Sequence, residues 1–443
     1  MSAVPLPAVA RPVAASWLPR GKRWLAILSA YFGTQTLVQL AGIGAGLLFI
    51  RFLPLREFAL YTLAFSVVTF FNFLTDLGST NSLLHFCREA ATRGEDFGSY
   101  YAAVHSLRKA GFLIGAAVVL AAFPAVAAAK GFTLGQSLPV TLAIVLCVWF
   151  QINAALRILA LRLADGYGRS YRAELAAGAA RLLLALVIVS CALLRAWLGV
   201  LSAAAASALA AWLARPRPAP GAAARLPPPA AADLRPHRRQ VIRYLLPNLP
   251  SALYFSIQGP LMVWISATFG STRTIAEVGA LGRLGLAVGL FSSLTGVVFL
   301  PRLARVTDDR LYRLRYLQFG AFLVLVAAGF LGAAALFPGA FLLVLGPNYR
   351  GLHRELLLII AASGLALLDG YALGINAARS WNRWQAAALG GLIAVQAVAI
   401  AWLPLGSTWN VLRFNVITAG FALISQVTMN WIGFLRPRWV RWA

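Results

Sequence analysis

Apolar runs of about eighteen residues or more recur along this chain, separated by short turns rich in arginine. A run of that length can cross a bilayer, and in hydrocarbon every backbone N–H and C=O must find its partner within the segment. Such runs therefore become helices. Composition agrees, with 60% hydrophobic and 12% charged residues, against roughly 25% charged in a soluble domain. The sequence predicts an all-α integral membrane protein.

The formal charge of +26 invites a nucleic-acid reading, but a nucleic-acid binder gathers its cations on one face of a folded domain. Here they lie in alternate turns between apolar runs. The expected outer turns hold only Arg51, Arg56, Lys130, Arg195, Arg273, Arg350 and Arg354, while most of the 39 Lys and Arg fall on the other side. That asymmetry is the positive-inside pattern, so the charge reports topology and implies no nucleic-acid partner. It places both termini in the cytoplasm and requires an even number of spans. Twelve are expected, at about 24–52, 55–86, 110–129, 138–163, 173–194, 197–213, 244–269, 275–300, 317–337, 356–378, 384–403 and 411–435. The seventh carries Pro247, Pro250 and Pro260 and should be kinked or broken.

Ala214 to Arg243 is the longest stretch unfit for a membrane. Seven Arg face one acid, Asp233, and repeated prolines predict an extended spacer kept out of helix and sheet. This divides the chain into a six-helix bundle at 1–214, a cytoplasmic linker at 215–240 and a second six-helix bundle at 241–443. Six spans each place the bundles in the same orientation, related by a pseudo-two-fold axis along the membrane normal. A faint repeat supports this: REFALYTLAFSVVTFF at Arg56 and AEVGALGRLGLAVGLF at Ala276 each open the second helix of a half with Glu.

Several chemistries find no support. Cys87, Cys147 and Cys191 stand apart with no CxxC spacing, and the four His are scattered, so neither a disulfide framework nor a metal site is expected. No GxxxxGK[ST] motif occurs. The GIGAG cluster at Gly42–Gly46 lacks dinucleotide-fingerprint spacing, and close helix approach accounts for it. Residues 1–20 lack the continuous apolar core of a signal peptide and read as a cytoplasmic tail.

Arg51–Phe86, RFLPLREFALYTLAFSVVTFFNFLTDLGSTNSLLHF, resembles the opening of bacterial oligosaccharide flippases of the polysaccharide-transporter (O-antigen, Wzx-type) branch of the MOP exporter superfamily. RLGLAVGLFSSLTGVVFLPRLAR from Arg283 resembles helix 8 of that superfamily, lipid II flippases included, and FLLVLGPNYRGLHREL resembles its turn before helix 10. The resemblance implies a non-enzymatic translocase of the bacterial inner membrane. It would move an undecaprenyl-diphosphate-linked oligosaccharide from the cytoplasmic to the periplasmic leaflet by alternating access, beside other polysaccharide assembly proteins. One alternative is a cation-coupled multidrug or small-molecule exporter of the same superfamily. Another is a membrane glycosyltransferase, polymerase or ligase, which would need a larger outer loop than this chain has.

Charges deep in a bilayer cost at least ~2.5–3.5 kcal/mol on insertion scales and so require a reason. Asp76, Arg181, Arg283 and Asp369 are the clearest, with Arg413 near an outer end. Arginine's planar fork suits phosphate, which makes Arg283, Arg181 and Arg413 candidates for the substrate's diphosphate. Resemblance adds most to Arg283, whose counterpart in lipid flippases faces the central cavity. Asp76 and Asp369 are either ion-coupling groups for H⁺ or Na⁺ or partners in an ion pair that holds helices together. Asn72, Gln35 and Gln258 are either sugar-binding amides or helix-to-helix hydrogen bonds, as are Gln39, Asn153, Asn248 and Asn376. No cofactor or metal is implied, and no catalytic residue.

Overall fold

The computed structural model is all-helical. It describes residues 20–80, 97–163, 166–215, 234–246, 249–289, 309–379 and 383–435, with isolated positions between them, and only the backbone of residues 20–32, 35, 250 and 251. The amino-terminal set comprises α1 (Arg20–Phe52), α2 (Leu55–Asp76), α3 (Phe97–Ala129), α4 (Leu134–Leu163), α5 (Tyr167–Ser190) and α6 (Ala196–Leu213). A short α7 (Arg235–Leu245) follows. The carboxy-terminal set comprises α8 (Leu249–Gln258), α9 (Leu261–Phe269), α10 (Thr272–Gly289), α11 (Asp309–Leu336), α12 (Pro338–Leu345), α13 (His353–Ala378), α14 (Gln385–Trp402) and α15 (Thr408–Leu435).

Among the described residues nine helices are long and apolar enough to cross a membrane, and ten if α8 and α9 are one bent span. They bend by 57° at Gly259–Pro260, where the ring removes a donor and blocks the preceding turn, as the prolines implied. Of the twelve spans expected, the first and eighth are not counted. Only Thr36–Phe52 of the 33-residue α1 is assessed, because the side chains of most of its first half lie outside the described residues, and so does most of the expected eighth span beyond Gly289.

Three expectations about local structure need correction. The second expected span is interrupted after Asp76, because Leu77 and Gly78 take left-handed backbone (φ 40° and 83°); the described residues beyond, Ser79, Thr80, Ser82 and Leu83 among them, are helical again. The third begins at Phe97, so Arg108 and Lys109 lie within a helix of 33 residues and not in a turn. The spacer is not extended to its end, since Arg235–Leu245 is α7. Pro236 sits in its first turn, where a missing N–H costs nothing, and no proline interrupts the following nine residues. The proline-rich part, residues 216–233, lies outside the described residues.

The two sets use the same packing scheme. In the first, α4 packs on α6 and receives α2 and α3; in the second, α13 packs on α15 and receives α10 and α11. Lipid offers apolar side chains no gain from burial, so close approach carries the assembly. At Gly279 a Cβ would lie 2.5 Å from Thr62 Oγ1, and that clearance is what lets α10 lie against α2. Contacts of α2 with α8, α9 and α10 form most of the junction between the sets. Trp264 of α9 donates from Nε1 to Ser66 Oγ at 3.1 Å and meets Phe70 edge-on at 4.9 Å.

A carboxylate anchors the corresponding end of each set. Glu57 accepts the backbone N–H of Ala196 at 2.8 Å, at the first residue of α6, with Arg195 at 3.5 Å. Glu277 accepts from Thr408 Oγ1 at 2.6 Å, at the first residue of α15, and from Arg273 Nε at 2.7 Å. A negative charge at a helix N-terminus satisfies orphan donors and opposes the helix dipole. These are the two Glu residues that mark the sequence repeat. At this same end, Arg56 donates to the carbonyl of Gly131, and Lys130 Nζ donates to the carbonyl of Gly270 at 2.8 Å, across the two sets.

Candidate functional site

The site grows from one face of α2. Tyr61, Phe65, Asn72 and Asp76 recur at steps of four, seven and four, which stacks them along one side of the helix. From Phe65 to Asp76 this face runs roughly 16 Å. It lines a cavity of about 380 Å³ closed by Gln151, Ile152 and Ala155 of α4 and by Arg108 of α3.

At one end stand two arginines from different sets. The Arg181 guanidinium, on α5, lies 5.2 Å from the Phe65 ring centre, and that of Arg283, on α10, lies 5.8 Å from it. An aromatic face attracts a cation, but one ring does not neutralise two. Arg181 Nε and Nη2 are buried with no hydrogen-bond partner among the described residues, as is the Tyr61 hydroxyl. Arg283 lies in the fields of both Arg181 and Tyr61. Gly46 makes room for it, since a Cβ there would sit 3.4 Å from Arg283 Nε. So one glycine of GIGAG packs against the Arg283 side chain of the other set. Chemically, this end offers buried guanidinium donors with no carboxylate partner among the described residues.

The other end is already compensated. Asp76 pairs with Arg108, and its Oδ1 also accepts from Thr80 Oγ1 at 2.7 Å, Ser79 Oγ at 3.1 Å and the Thr80 backbone at 3.2 Å. Arg108 in turn donates to Ser79 Oγ at 2.6 Å and Thr80 Oγ1 at 2.7 Å. Between the two ends, Asn72 Nδ2 donates to Gln151 Oε1 and to the Val68 carbonyl, the latter at 3.0 Å.

A second, smaller cavity of about 40 Å³ lies in the carboxy-terminal set, lined in part by Asp369, Tyr254, Gln385, Ser425 and Gln426. Asp369 Oδ1 is buried without a partner among the described residues. Amides brace the surroundings: Tyr254 Oη donates to Gln396 Oε1 and Gln396 Nε2 to Gln258 Oε1, both at 3.3 Å. Gln258 is thus part of a helix-to-helix bond in this structure. Arg413 is the sixth residue of α15 and exposed, apart from both cavities. The Gln35 side chain and Asn248 lie outside the described residues.

Sequence reasoning brought forward Arg181, Arg283, Asn72 and Asp76; the structure places Asn72 and Asp76 on the cavity wall and the two arginines beside Phe65, at the edge of that wall, without lining the cavity themselves. It missed Arg108, Gln151, Tyr61 and Phe65. The stripe of Tyr61, Phe65, Asn72 and Asp76 at helical spacing was the available signal. For Gln151 and Arg108 no local signal existed, because their place depends on how α3 and α4 pack on α2.

No family model matches the chain, and no curated protein does. Solved structures do resemble it. One described as the lipid II flippase MurJ, inward closed conformation, aligns with a TM-score of 0.58 at 10% identity, over 93% of each chain. A eukaryotic MATE transporter aligns at 0.53 and 11% identity, over 94% of this chain and 98% of that one. An outward-facing multidrug resistance MATE transporter of the MOP superfamily aligns at 0.51 and 16%, over 94% and 96%. The chain shares the fold of these solved structures, and its many long apolar helices make it a multi-pass membrane protein. Both kinds of neighbour share that fold.

Proposed function

We propose that this chain is a flippase for a polyprenyl-diphosphate-linked oligosaccharide, of the O-antigen (Wzx-type) kind, in the bacterial inner membrane. On this reading twelve spans form two bundles, residues 1–214 and 241–443, related by a pseudo-two-fold axis. The cytoplasmic linker at 215–240 joins them, and both termini are cytoplasmic. The matching Glu57 and Glu277 anchors and the shared packing scheme support that arrangement.

One observation carries the functional reading. Arg181 and Arg283 come from different sets and converge on Phe65, and Arg181 keeps its buried Nε and Nη2 without an acceptor among the described residues. A diphosphate supplies several acceptor oxygens at once, and guanidinium binds such groups through parallel hydrogen bonds. Because the two cations belong to different sets, the headgroup that joins them also reports on their separation. Rocking the bundles would then carry the headgroup across while its lipid tail stays in the bilayer. The amide-lined chamber below, with Asn72 and Gln151, suits sugar hydroxyls, and no bond is made or broken.

The test is flipping of a lipid-linked oligosaccharide in proteoliposomes. Arg283→Ala should lower transport ten- to a hundredfold, the equivalent of the roughly 1.5–3 kcal/mol of a hydrogen bond to a charged group. Unchanged transport removes Arg283 from the site.

Asp369 favours a second reading, a cation-coupled small-molecule exporter, because an unpartnered carboxylate beside a small cavity suits H⁺ or Na⁺ exchange. Stabilisation of the purified protein by lipophilic cations, with none by lipid-linked sugar, selects that reading.

A further inference from the structure

The short helix α7 has a role that the transport chamber leaves unexplained. Its sequence, RPHRRQVIRYL, carries four arginines and no acid. One face is fixed against the first part of α3 and against His85, which lies beyond the end of α2. Val241 is fully buried, Tyr244 stacks on His85 with ring centres 4.7 Å apart, and the Tyr100 hydroxyl donates to Gln240 Oε1 at 2.7 Å. His237 meets the Tyr100 ring edge-on at 4.8 Å, and Arg238 Nε donates to Ser106 Oγ at 2.8 Å. These contacts set the rotation of the helix about its axis.

The opposite face therefore has a defined composition. Arg235, Arg239, Ile242 and Leu246 fall within about 60° of one another at 100° per residue. All four are exposed, Ile242 by 48% and Leu246 by 62%, with exposed Arg238 and Arg243 on the flanks. Apolar side chains bordered by long basic ones are the pattern of a helix at a lipid headgroup layer, where the apolar atoms dip and the guanidiniums reach phosphate.

Depth agrees with that pattern. Leu246 and Leu249, the first residue of α8, are three positions apart, at most ~11 Å of extended chain. Since α8 opens a bent pair apolar enough to span, the last turn of α7 lies at headgroup level. We infer that the exposed face of α7 is a docking surface for anionic phospholipid headgroups of the bilayer that the chain itself crosses. Docked there, it would tether the start of α8 to α3 across the junction of the two sets, with the surface charge of the leaflet as the restraint.

The experiment uses the full chain purified in detergent and titrated with mixed micelles of phosphatidylglycerol or of phosphatidylcholine. The readouts are bound lipid, by mass spectrometry, and the thermal unfolding midpoint. Phosphatidylglycerol should bind in preference and raise the midpoint, with an effect that shrinks as salt is raised. The double variant Arg239→Gln, Arg243→Gln should weaken that binding roughly twentyfold, at about fivefold per charge near an anionic surface. Arg239→Lys with Arg243→Lys keeps the charge and should keep the binding, which separates lost attraction from misfolding. Equal binding of the two lipids by the unaltered protein overturns the inference, as does phosphatidylglycerol binding by the Gln variant within twofold of it.

Discussion

Two carboxylates, one in each set of helices, stand in opposite conditions. Asp76 is enclosed by Arg108, Ser79 and Thr80, so its charge is answered within the protein. Asp369 turns a buried oxygen towards a cavity of about 40 Å³ and finds no partner among the described residues. Around them the frames correspond: Glu57 anchors α6 as Glu277 anchors α15, and α4 packs on α6 as α13 packs on α15. The difference therefore lies in interior charge and not in scaffold. A paired charge at low dielectric acts as a brace, whereas an unpaired one costs stability and persists where its exchange with solvent or an ion is useful. On the readings proposed above, Asp76 would be a brace and Asp369 the candidate for ion coupling.

The sharpest way to break this comparison is to remove one member of the closed pair. Arg108→Ala leaves Asp76 with only Ser79 and Thr80 as donors and should cost about 1–3 kcal/mol, less than a fully buried pair because Asp76 is a third exposed, read as loss of unfolding free energy in detergent. Replacing Arg108 and Asp76 together by Gln and Asn should restore most of it. Asp369→Asn, by contrast, removes a charge that no described residue answers, and should leave stability unchanged or raise it while abolishing any dependence of transport on an ion gradient. Equal destabilisation by Arg108→Ala and Asp369→Asn would erase the distinction.

A smaller effect tests the correspondence of the frames. Glu57→Ala removes the acceptor of the Ala196 backbone N–H and Glu277→Ala that of the Thr408 hydroxyl, each at the start of the last helix of its set, and each should cost about 1–2 kcal/mol. Thermal unfolding of the two variants should shift by similar amounts. A large shift for one and none for the other would mean that the shared Glu has no shared task.

How much of this was legible in the sequence differs from element to element. The apolar runs determine helices, because the bilayer leaves no alternative, and Pro260 marks the break between α8 and α9. Boundaries were harder, since hydropathy continues smoothly through Leu77 and Gly78 although the backbone turns there. Arg108 was assigned to a turn because charge at the edge of an apolar run reads as a loop. Only the partner carboxylate on α2 shows why a helix carries it. The arginines beside the chamber were visible as costly residues, whereas Phe65, the ring they share, was one aromatic among 26 phenylalanines.

Arg413 supplies the least effect and a control on everything assigned to Arg181 and Arg283. All three are arginines in long helices, and sequence alone ranks them as candidates for the same phosphate. In the structure Arg413 is exposed on α15, in its second turn, while the other two share the Phe65 ring. An exposed guanidinium near a helix end reaches water or headgroups along its flexible stem, so its removal takes away little. Arg413→Gln should change transport by less than about twofold and unfolding free energy by less than about 0.5 kcal/mol. Measured beside Arg181→Ala in the same proteoliposome assay, it separates loss of a particular donor from loss of positive charge in general. Equal losses from the two variants would favour a diffuse cationic field over a built site.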